Sequence, residues 1–435
     1  MAKLKKALSL YGLTMVAVGS CIGSGIFLTP SFIAAELPSA FNILAVWTLG
    51  GIWALTGALT FAELGGLFPK TGGVYVYLQE AYGNFTAFLY GWTILTVVTS
   101  GAIAALALAF ARYLDVLIPL GEEGIKIAGM LAIVVVTLIN ITGVKMGEIF
   151  ASFFTTLKLL GIAFIVLTGV WFFFSNDTGS VDFSPEAVPT TSFAVALIGV
   201  MWSFGGWHHA SYLAGETSNP QKTIPMAMFL GALIVTITYL LANLAYIFLL
   251  PVEDIANSSA VASDAIGKIF TWGGIFVAVL IAASTFGSAG IYTLSAPRIY
   301  FAMAKDGVFF KFLSEVHPKW QTPVWAIALQ SIWSILLLRF WSTFENLIAY
   351  VVFMDILFMT LAGIGIFLFR KRLPNAERPY KVLGYPVIPL IFAGISIWFL
   401  AYTLVGRPEQ AIGGLVLVAI GSLLFWIFFK KRAIS

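Results

Sequence analysis

The stretch Gly19-Ser20-Cys21-Ile22-Gly23-Ser24-Gly25-Ile26-Phe27 lies inside the first long apolar segment of the chain, residues 8–41. A continuous helix through this segment would be long enough to span a bilayer, which takes about 20 residues. The clustered glycines instead predict that the helix is broken near its middle. An opened backbone inside hydrocarbon is tolerated only where it lines a cavity or is packed in protein, so the break indicates a binding site at mid-membrane. The alternative is that these glycines only allow close helix packing.

A second break is predicted at Phe204-Gly205-Gly206-Trp207, in the middle of a later charge-free segment. Two interrupted apolar segments in one chain favour a binding site between them over simple packing.

The composition bounds the class of protein. The 435 residues are 60% hydrophobic and 10% charged, with a mean hydropathy of +0.96, which predicts an all-α protein that crosses the membrane many times. The one cysteine, Cys21, excludes an intrachain disulfide and a Cys-based zinc site. The net charge of +4 is spread over loops and forms no basic domain, so nucleic acid is not an expected partner. No metal or cofactor is expected either.

Apolar windows predict about twelve spanning helices, so both termini lie on one side of the membrane. Most basic residues outside these windows fall on that side, among them Lys3, Lys5, Arg370, Lys371 and Arg372. The positive-inside rule therefore places both termini in the cytoplasm, and the expected location is the cell membrane. The predicted spans are centred near residues 22, 54, 100, 133, 160, 203, 237, 285, 330, 355, 393 and 419.

The two breaks fall in the first and sixth predicted spans, which indicates an internal repeat of five spans. An odd number of spans in each copy forces the two copies into opposite orientations, the plan of many secondary transporters. The expected organisation is a first repeat over residues 1–175, a second, inverted repeat over 190–370, and two additional spans over 383–430.

A broken helix offers free backbone N–H groups at the start of its second half and free C=O groups at the end of its first half. The chemistry of the two breaks therefore predicts a receptor for a zwitterion such as a free α-amino acid. The expected carboxylate site is formed by the amides of Ser24, Gly25 and Ile26, beside Gly23. The expected ammonium site is formed by carbonyls of Ser20, Cys21, Ile22, Trp202, Ser203 and Phe204, beside Gly205.

Lys158 lies 13 residues after Lys145 (158 − 145), about 20 Å along a helix, so its side chain cannot reach the membrane surface. A lysine at that depth predicts a functional group that faces the bundle interior. The expected partners are carbonyls near Gly19 and a hydroxyl of the eighth span, with the candidates Ser284, Thr285 and Ser288. The alternative is a purely structural strut.

Four other side chains are candidates for a functional role. Asp355 lies deep in the tenth span, where it is expected to contact substrate, pair with a cation or titrate. His208 is expected to face the substrate, and Trp202 is a candidate aromatic lid, although a membrane tryptophan often only packs. Glu63 lies near the cytoplasmic end of the second span, which favours a helix-end or gate role.

Several motifs, in order along nearly the whole chain, resemble the L-amino acid transporter family of the amino acid–polyamine–organocation superfamily. They are Ile22-Gly23-Ser24-Gly25-Ile26-Phe27, Ala62-Glu63-Leu64-Gly65, Lys70-Thr71-Gly72-Gly73-Val74-Tyr75, Lys158-Leu159-Leu160, Phe204-Gly205-Gly206-Trp207 and Phe286-Gly287-Ser288.

The resemblance implies a leucine-transporter-like fold of twelve helices and sodium-independent transport, often by obligatory exchange. It implies that the amides of the first break hold the substrate carboxylate, that carbonyls of the sixth span hold its amino group, and that Trp202 is the gate. Lys158 is similar to a family lysine in the place where sodium-coupled relatives bind a cation. The loop after the third span has no cysteine, so no disulfide-linked heavy chain is expected, and the oligomeric state stays open.

The residues favour a transporter of neutral L-amino acids. The alternatives are a proton-coupled or facilitative transporter of cationic amino acids or amines, a channel, and a substrate-sensing receptor without turnover. A membrane enzyme is disfavoured because no hydrolase, zinc-protease or nucleotide-loop motif is present.

Overall fold

The fold comes from a computed structural model that describes residues 4–175, 181–340, 344–406 and 408–429. Within these ranges the chain is helical, and the β-structure is confined to one isolated bridge between Leu8 and Thr217. The predicted all-α class is therefore confirmed. Lys3 and residue 430, which enter the predicted orientation and the predicted last span, lie outside the described residues.

The helices follow one another with short connections. Their bounds are α1 Leu10–Cys21, α2 Gly25–Glu36, α3 Ala40–Leu67, α4 Val74–Tyr82, α5 Asn84–Thr93, α6 Thr99–Asp115, α7 Gly121–Ile141, α8 Val144–Ser175, α9 Thr190–Phe204, α10 His209–Tyr212, α11 Pro220–Leu249, α12 Val252–Asn257, α13 Val261–Gly267, α14 Gly273–Ser295, α15 Pro297–Lys305, α16 Val324–Phe340, α17 Phe344–Arg372, α18 Val387–Gly406 and α19 Pro408–Leu424. A π-helical turn, Ile94–Val98, joins α5 to α6, and another, Phe425–Phe429, follows α19.

Ten of the helical stretches in the described ranges are long and apolar enough to cross a membrane, so the chain is a multi-pass membrane protein. Two shorter apolar helices, α9 and α16, occupy the places of the predicted sixth and ninth spans. The helix α9 is short because it ends at the second predicted break. The count of twelve spans stays a prediction.

The two interrupted stretches lie at the centre of the bundle. Helix α1 packs against α8, α11 and α14, while α2 packs against α9. The helix α1 is buried along most of its length, including Leu13, Val16 and Ala17. A helix that is apolar and buried on all sides belongs to the interior of a bundle. The remaining helices therefore form a wall around the two breaks.

An ionic cluster joins α3 to α17 and the segment after it. The carboxylate of Glu63 accepts hydrogen bonds from Arg370 at 2.7 and 2.6 Å, from Arg378 at 3.0 Å and from the Val382 backbone N–H at 2.8 Å. Four donors satisfy this buried carboxylate, which makes its burial tolerable. The position of Glu63 at the end of a helix agrees with the helix-end role expected from the sequence.

A second ion pair, Glu216 with Arg298, is fully buried. Arg298 Nε and Nη2 donate to the two carboxylate oxygens of Glu216 at 2.8 and 2.7 Å, and neither side chain is exposed. The backbone N–H groups of Ala7 and Leu8 donate to the Glu216 carbonyl at 2.9 and 3.0 Å. The N-terminal segment is thus tied to the chain that follows the second break.

Candidate functional site

The first break consists of Ile22, Gly23 and Ser24, between the end of α1 and the start of α2. The Gly23 N–H turns back to the Cys21 carbonyl at 2.8 Å, which ends the helix. Among the described residues, none accepts a hydrogen bond from the backbone N–H of Ser24, Gly25 or Ile26. Three free amides at a buried helix start are a geometry suited to an anion such as a carboxylate, and the carboxylate site stays a prediction.

The second break begins after Phe204, the last residue of α9, and α10 resumes at His209. Gly206 has a φ of +126°, a backbone conformation that residues with a Cβ rarely adopt. A Cβ on Gly206 would also lie 2.8 Å from the Ser20 carbonyl carbon. Glycine is therefore required here both by the backbone conformation and by the closeness of the first break.

The two breaks lie directly against each other. Ser20 Oγ donates to the Gly206 carbonyl at 2.8 Å, and Cys21 Sγ lies 3.5 Å from the Phe204 carbonyl oxygen. A Cβ on Gly25 would lie 2.8 Å from Ser203 Cα. The contacts between the two breaks join residues far apart in the sequence and bring both sets of predicted site residues into one place.

Protein donors already occupy several carbonyls of the predicted ammonium site. The hydroxyl of Tyr239 lies 2.9 Å from the Cys21 carbonyl oxygen and 2.9 Å from that of Ser203. The Cys21 carbonyl also accepts the Gly23 N–H. The one proton of the Tyr239 hydroxyl is donated to one of these two carbonyls at a time, so the Cys21 carbonyl has one or both of its lone pairs occupied. The carbonyls of Ser20 and Phe204 are left as the better acceptors for a ligand ammonium.

Lys158 projects from α8 to the end of α1. Its Nζ donates to the Gly19 carbonyl at 2.9 Å, to the Ile22 carbonyl at 2.6 Å and to Ser288 Oγ at 2.6 Å. The three N–H donors of the ammonium are thus all used. The partners expected from the sequence, a carbonyl near Gly19 and an eighth-span hydroxyl, are the ones present.

The other two hydroxyls proposed for Lys158 have different partners. Ser284 Oγ is 3.0 Å from the Gly23 carbonyl oxygen and so supports the break itself. Thr285 Oγ1 donates to the Ile281 carbonyl of its own helix at 2.8 Å. Of the three candidates, Ser288 is therefore the one whose hydroxyl contacts the lysine, while the Thr285 hydroxyl is satisfied within α14.

Trp202 lies at the end of α9 over the first break. Its Nε1 lies 3.3 Å from Ser24 Oγ, and its ring is half-buried. It packs against the apolar cluster to which α6 contributes, as Leu28 also does. This position beside the free amides is compatible with the predicted gate, and the gating role stays a prediction.

A cavity of about 20 Å³ adjoins the second break, which is room for about one water molecule. It brings together His208 and Asp355, which the sequence placed near the substrate. Other parts of its wall come from the π-helical turn, α9, the second break, α10, α14 and α17: Val98, Met201, Trp202, Gly205, Gly206, His209, Tyr292, Val351, Val352 and Ile356.

The polar groups around this cavity fall into two sets. His209 Nδ1 pairs with Ser295 Oγ at 2.7 Å, and the hydroxyls of Tyr90 and Tyr212 pair at 2.6 Å. By contrast, Asp355 Oδ1 and His208 Nδ1 are buried without a hydrogen-bond partner among the described residues. Buried polar atoms are normally paired, so these two require a ligand or water.

The sequence did not reveal Tyr239, which joins the two breaks, or the pairing of Glu216 with Arg298. Tyrosines inside apolar helices give no signal that separates a hydrogen-bonding role from packing. The described residues contain no group of three His, Cys, Asp or Glu side chains placed to hold a metal ion.

A multi-pass helical bundle with two facing helix breaks, free amides on one side and free carbonyls on the other, defines a membrane transporter for a small polar solute. The sequence model of the family described as "Amino acid permease" matches residues 8–429, so the chain belongs to this family. The family resemblance inferred from the motifs is thereby confirmed.

Individual relatives agree with this assignment. The chain is 34% identical to the serine/threonine exchanger SteT of Bacillus subtilis over 99% of this chain and 98% of the relative. It is 30% identical to the b(0,+)-type amino acid transporter 1 of Mus musculus, over 98% of this chain and 88% of the relative. It is also 30% identical to the large neutral amino acids transporter small subunit 2 of Mus musculus, over 98% of this chain and 81% of the relative. The protein is an amino acid transporter and not an enzyme.

Proposed function

We propose that the protein is a sodium-independent exchanger of neutral L-amino acids in the cell membrane, with both termini in the cytoplasm. The zwitterion is held between the two breaks, and transport proceeds by alternating access. Residues 1–175 and 190–370 act as two inverted repeats that rock around the site, with 383–430 as additional spans. No disulfide-linked heavy chain takes part, because Cys21 is buried in the site.

The contact set of Lys158 carries the proposal. Its ammonium lies among two carbonyls and one hydroxyl at the end of α1, an arrangement of oxygens that would otherwise suit a small cation. A fixed positive charge in that place supplies the electrostatic role of a bound sodium ion. The free amides of Ser24, Gly25 and Ile26 supply the receptor for the substrate carboxylate.

Counterflow in proteoliposomes tests the proposed function. Labelled neutral L-amino acids should enter vesicles preloaded with unlabelled amino acid and should not enter empty ones. Entry into empty vesicles would indicate a channel or a facilitative transporter, and binding without entry would indicate a receptor.

A second candidate function is favoured by Asp355, whose Oδ1 is buried without a partner. A carboxylate in this place is suited to the side chain of a cationic amino acid or amine, or to a proton that moves with the substrate. Competition by lysine or arginine at low concentration, together with an acceleration of entry by an imposed proton gradient, would support this alternative.

A further inference from the structure

Three polar side chains of α8, those of Glu148, Thr155 and Lys158, make hydrogen bonds to α1 or to its N-cap residue. They are about two turns and one turn apart along α8, which places them on one face of that helix. Their partners run from the N-cap of α1 to the first break. The helix α1 is therefore bound to α8 by polar contacts along its length.

Glu148 holds the first turn of α1. Its Oε1 accepts a hydrogen bond from Ser9 Oγ at 3.1 Å, and its Oε2 forms an ion pair with Lys145. The Glu148 side chain is only 4% exposed, and the Ser9 hydroxyl in turn accepts the Gly12 N–H at 3.1 Å. A carboxylate beside the N-terminus of a helix is also attracted by the helix dipole. Glu148 thus fastens the cap and the first turn of α1 to α8.

Two glycines of α1 make room for the side chains of α8. A Cβ on Gly12 would lie 2.5 Å from Glu148 Cγ, and a Cβ on Gly19 would lie 3.2 Å from Thr155 Cβ. Between these two points the Thr155 hydroxyl donates to the Met15 carbonyl at 3.1 Å. Sliding of α1 along α8 would break these hydrogen bonds and force the side chains out of the space at the glycines.

The segment before α1 is held from the other side. The backbone N–H groups of Ala7 and Leu8 donate to the Glu216 carbonyl, and Leu8 forms an isolated bridge with Thr217. The predicted substrate site lies between the two breaks. Access to it from this end of α1, which the proposed topology puts at the cytoplasmic face, requires α1 to separate from the chain that follows the second break.

We propose that Glu148 is a positioning residue for transport: with Thr155 and Lys158 it fastens α1 to α8, so that the two helices move as one body away from residues 216–217 when the cytoplasmic face opens. This inference rests on the proposed function, because it describes the alternating access of that exchanger. Movement of α1 alone would leave the buried polar groups of α8 without these partners, which is unfavourable.

Disulfides test the proposal, because a covalent bond between parts that move together leaves exchange intact. Gly12→Cys with Glu148→Cys joins α1 to α8; Glu148 Cγ is 2.5 Å from the Cβ position of residue 12, so the two Cβ atoms lie within about 4 Å, which suits a disulfide. Leu8→Cys with Thr217→Cys joins the segment before α1 to the other side. Counterflow with the full-length protein is measured after oxidation and again after reduction. We expect the first disulfide to keep at least about half of the exchange rate, and the second to lower it at least about tenfold until reductant is added.

A second pair, Ser9→Cys with Lys145→Cys, repeats the test at two exposed positions whose native side chains both contact Glu148. A short bismaleimide that joins them should leave exchange intact. This pair keeps Gly12 and Glu148 in place, so it decides the matter if the first pair fails to fold. Wild-type protein treated with the same reagent is the control, since its one cysteine, Cys21, is buried.

Substitution of Glu148 gives an independent readout. Glu148→Ala should slow exchange at least about tenfold and also speed the modification of Cys21 by a maleimide at the cytoplasmic face, because α1 can then move without α8. Glu148→Gln keeps an acceptor for the Ser9 hydroxyl and should recover part of the exchange rate. Glu123→Ala is the matched control, since Glu123 pairs with Lys126 at the same spacing but is 68% exposed on α7.

The outcomes separate this inference from the proposed function. Exchange that is lost with the disulfide between residues 12 and 148, and regained on reduction, would show that α1 leaves α8 and would overturn the inference. Undiminished exchange with the disulfide between residues 8 and 217, or unchanged Cys21 reactivity in Glu148→Ala, would overturn it as well. Absence of exchange in the untreated wild type with every amino acid tested would instead overturn the proposed function.

Discussion

Lys158 lies at the centre of the site, and its surroundings explain why a lysine is stable there. Two carbonyls at the end of α1 and the Ser288 hydroxyl together take up its three N–H donors. The side chain ties α8 and α14 to the first break, where the substrate carboxylate is expected to bind. Substrate bound at that break can therefore influence how the surrounding helices move.

We expect Lys158→Ala and the longer Lys158→Met to bind substrate with affinity reduced by no more than about tenfold while exchange slows by at least about a hundredfold. The reason is that the tie is lost while the free amides of the first break remain. Binding by scintillation proximity and exchange by counterflow measure the two quantities. Thr156→Val is the control, because its side chain is exposed on the same helix and its hydroxyl donates to the Ser152 carbonyl of that helix at 2.8 Å. If folded Lys158→Ala protein exchanged substrate at the wild-type rate from both faces, Lys158 would have only a structural role.

The glycines of the breaks make a second prediction at this scale. Gly25→Ala places a Cβ against Ser203 of the opposite break, and should lower substrate affinity by about tenfold or more. Gly206→Ala should in addition lower the melting temperature, because its φ of +126° is strained for alanine. Gly394→Ala is the control, since a Cβ there meets no atom within 4 Å. If the Gly25 variant bound substrate with unchanged affinity, the first break would not be part of the substrate-binding site.

At the scale of elements, Tyr239 connects three of them. From α11 its hydroxyl contacts the Cys21 carbonyl at the end of α1 and the Ser203 carbonyl in α9. Tyr239→Phe should destabilise the protein by about 1–2 kcal/mol and weaken substrate binding, because the one hydroxyl proton that serves these two buried carbonyls is lost. Thermal unfolding in detergent with and without substrate measures both effects. Tyr246→Phe serves as a neighbour on the same helix, its hydroxyl making only a longer contact of 3.4 Å to the Ile26 carbonyl.

The ion pair between Glu216 and Arg298 fixes the element after the second break to the start of α15. Removing one partner leaves a buried charge, so Arg298→Met should destabilise by about 3–5 kcal/mol. Combining it with Glu216→Leu should recover a large part of that loss. Melting temperatures of the two single variants and the double variant would measure the interaction. Equal stability of all three with the wild type would show that the pair does not hold this element.

The breaks in the helices were predictable because glycine is a local signal: Gly23, Gly25 and Gly206 stand where the backbone opens. The kind of contact that Lys158 makes could be predicted, because a buried ammonium needs oxygen atoms that accept its hydrogen bonds. The role of Tyr239 and the pairing of Glu216 with Arg298 were not, because each joins positions far apart in the sequence and depends on the packing of whole helices. The same limit left Ser284, Thr285 and Ser288 as equal candidates until the rotation of α14 was known.

At the scale of the whole molecule, the fixed ammonium predicts that no dissolved cation is needed. Exchange rates should agree within about twofold when sodium is replaced by potassium or choline at constant ionic strength. Counterflow in the three salts measures this, with a sodium-coupled transporter in parallel vesicles as the positive control. A steep dependence on sodium concentration would contradict the assignment of Lys158 as the substitute for a bound ion.

The single cysteine, Cys21, can be used to measure when the two breaks become accessible to a thiol reagent. Cys21 is 3% exposed and faces the Phe204 carbonyl between the two breaks, so a thiol reagent can reach it only while the breaks separate. A membrane-impermeant maleimide, applied first outside and then inside sealed vesicles, would time the opening of each face without any engineered label. Bound substrate should slow the reaction, and Lys158→Ala should change how the reactivity divides between the two faces.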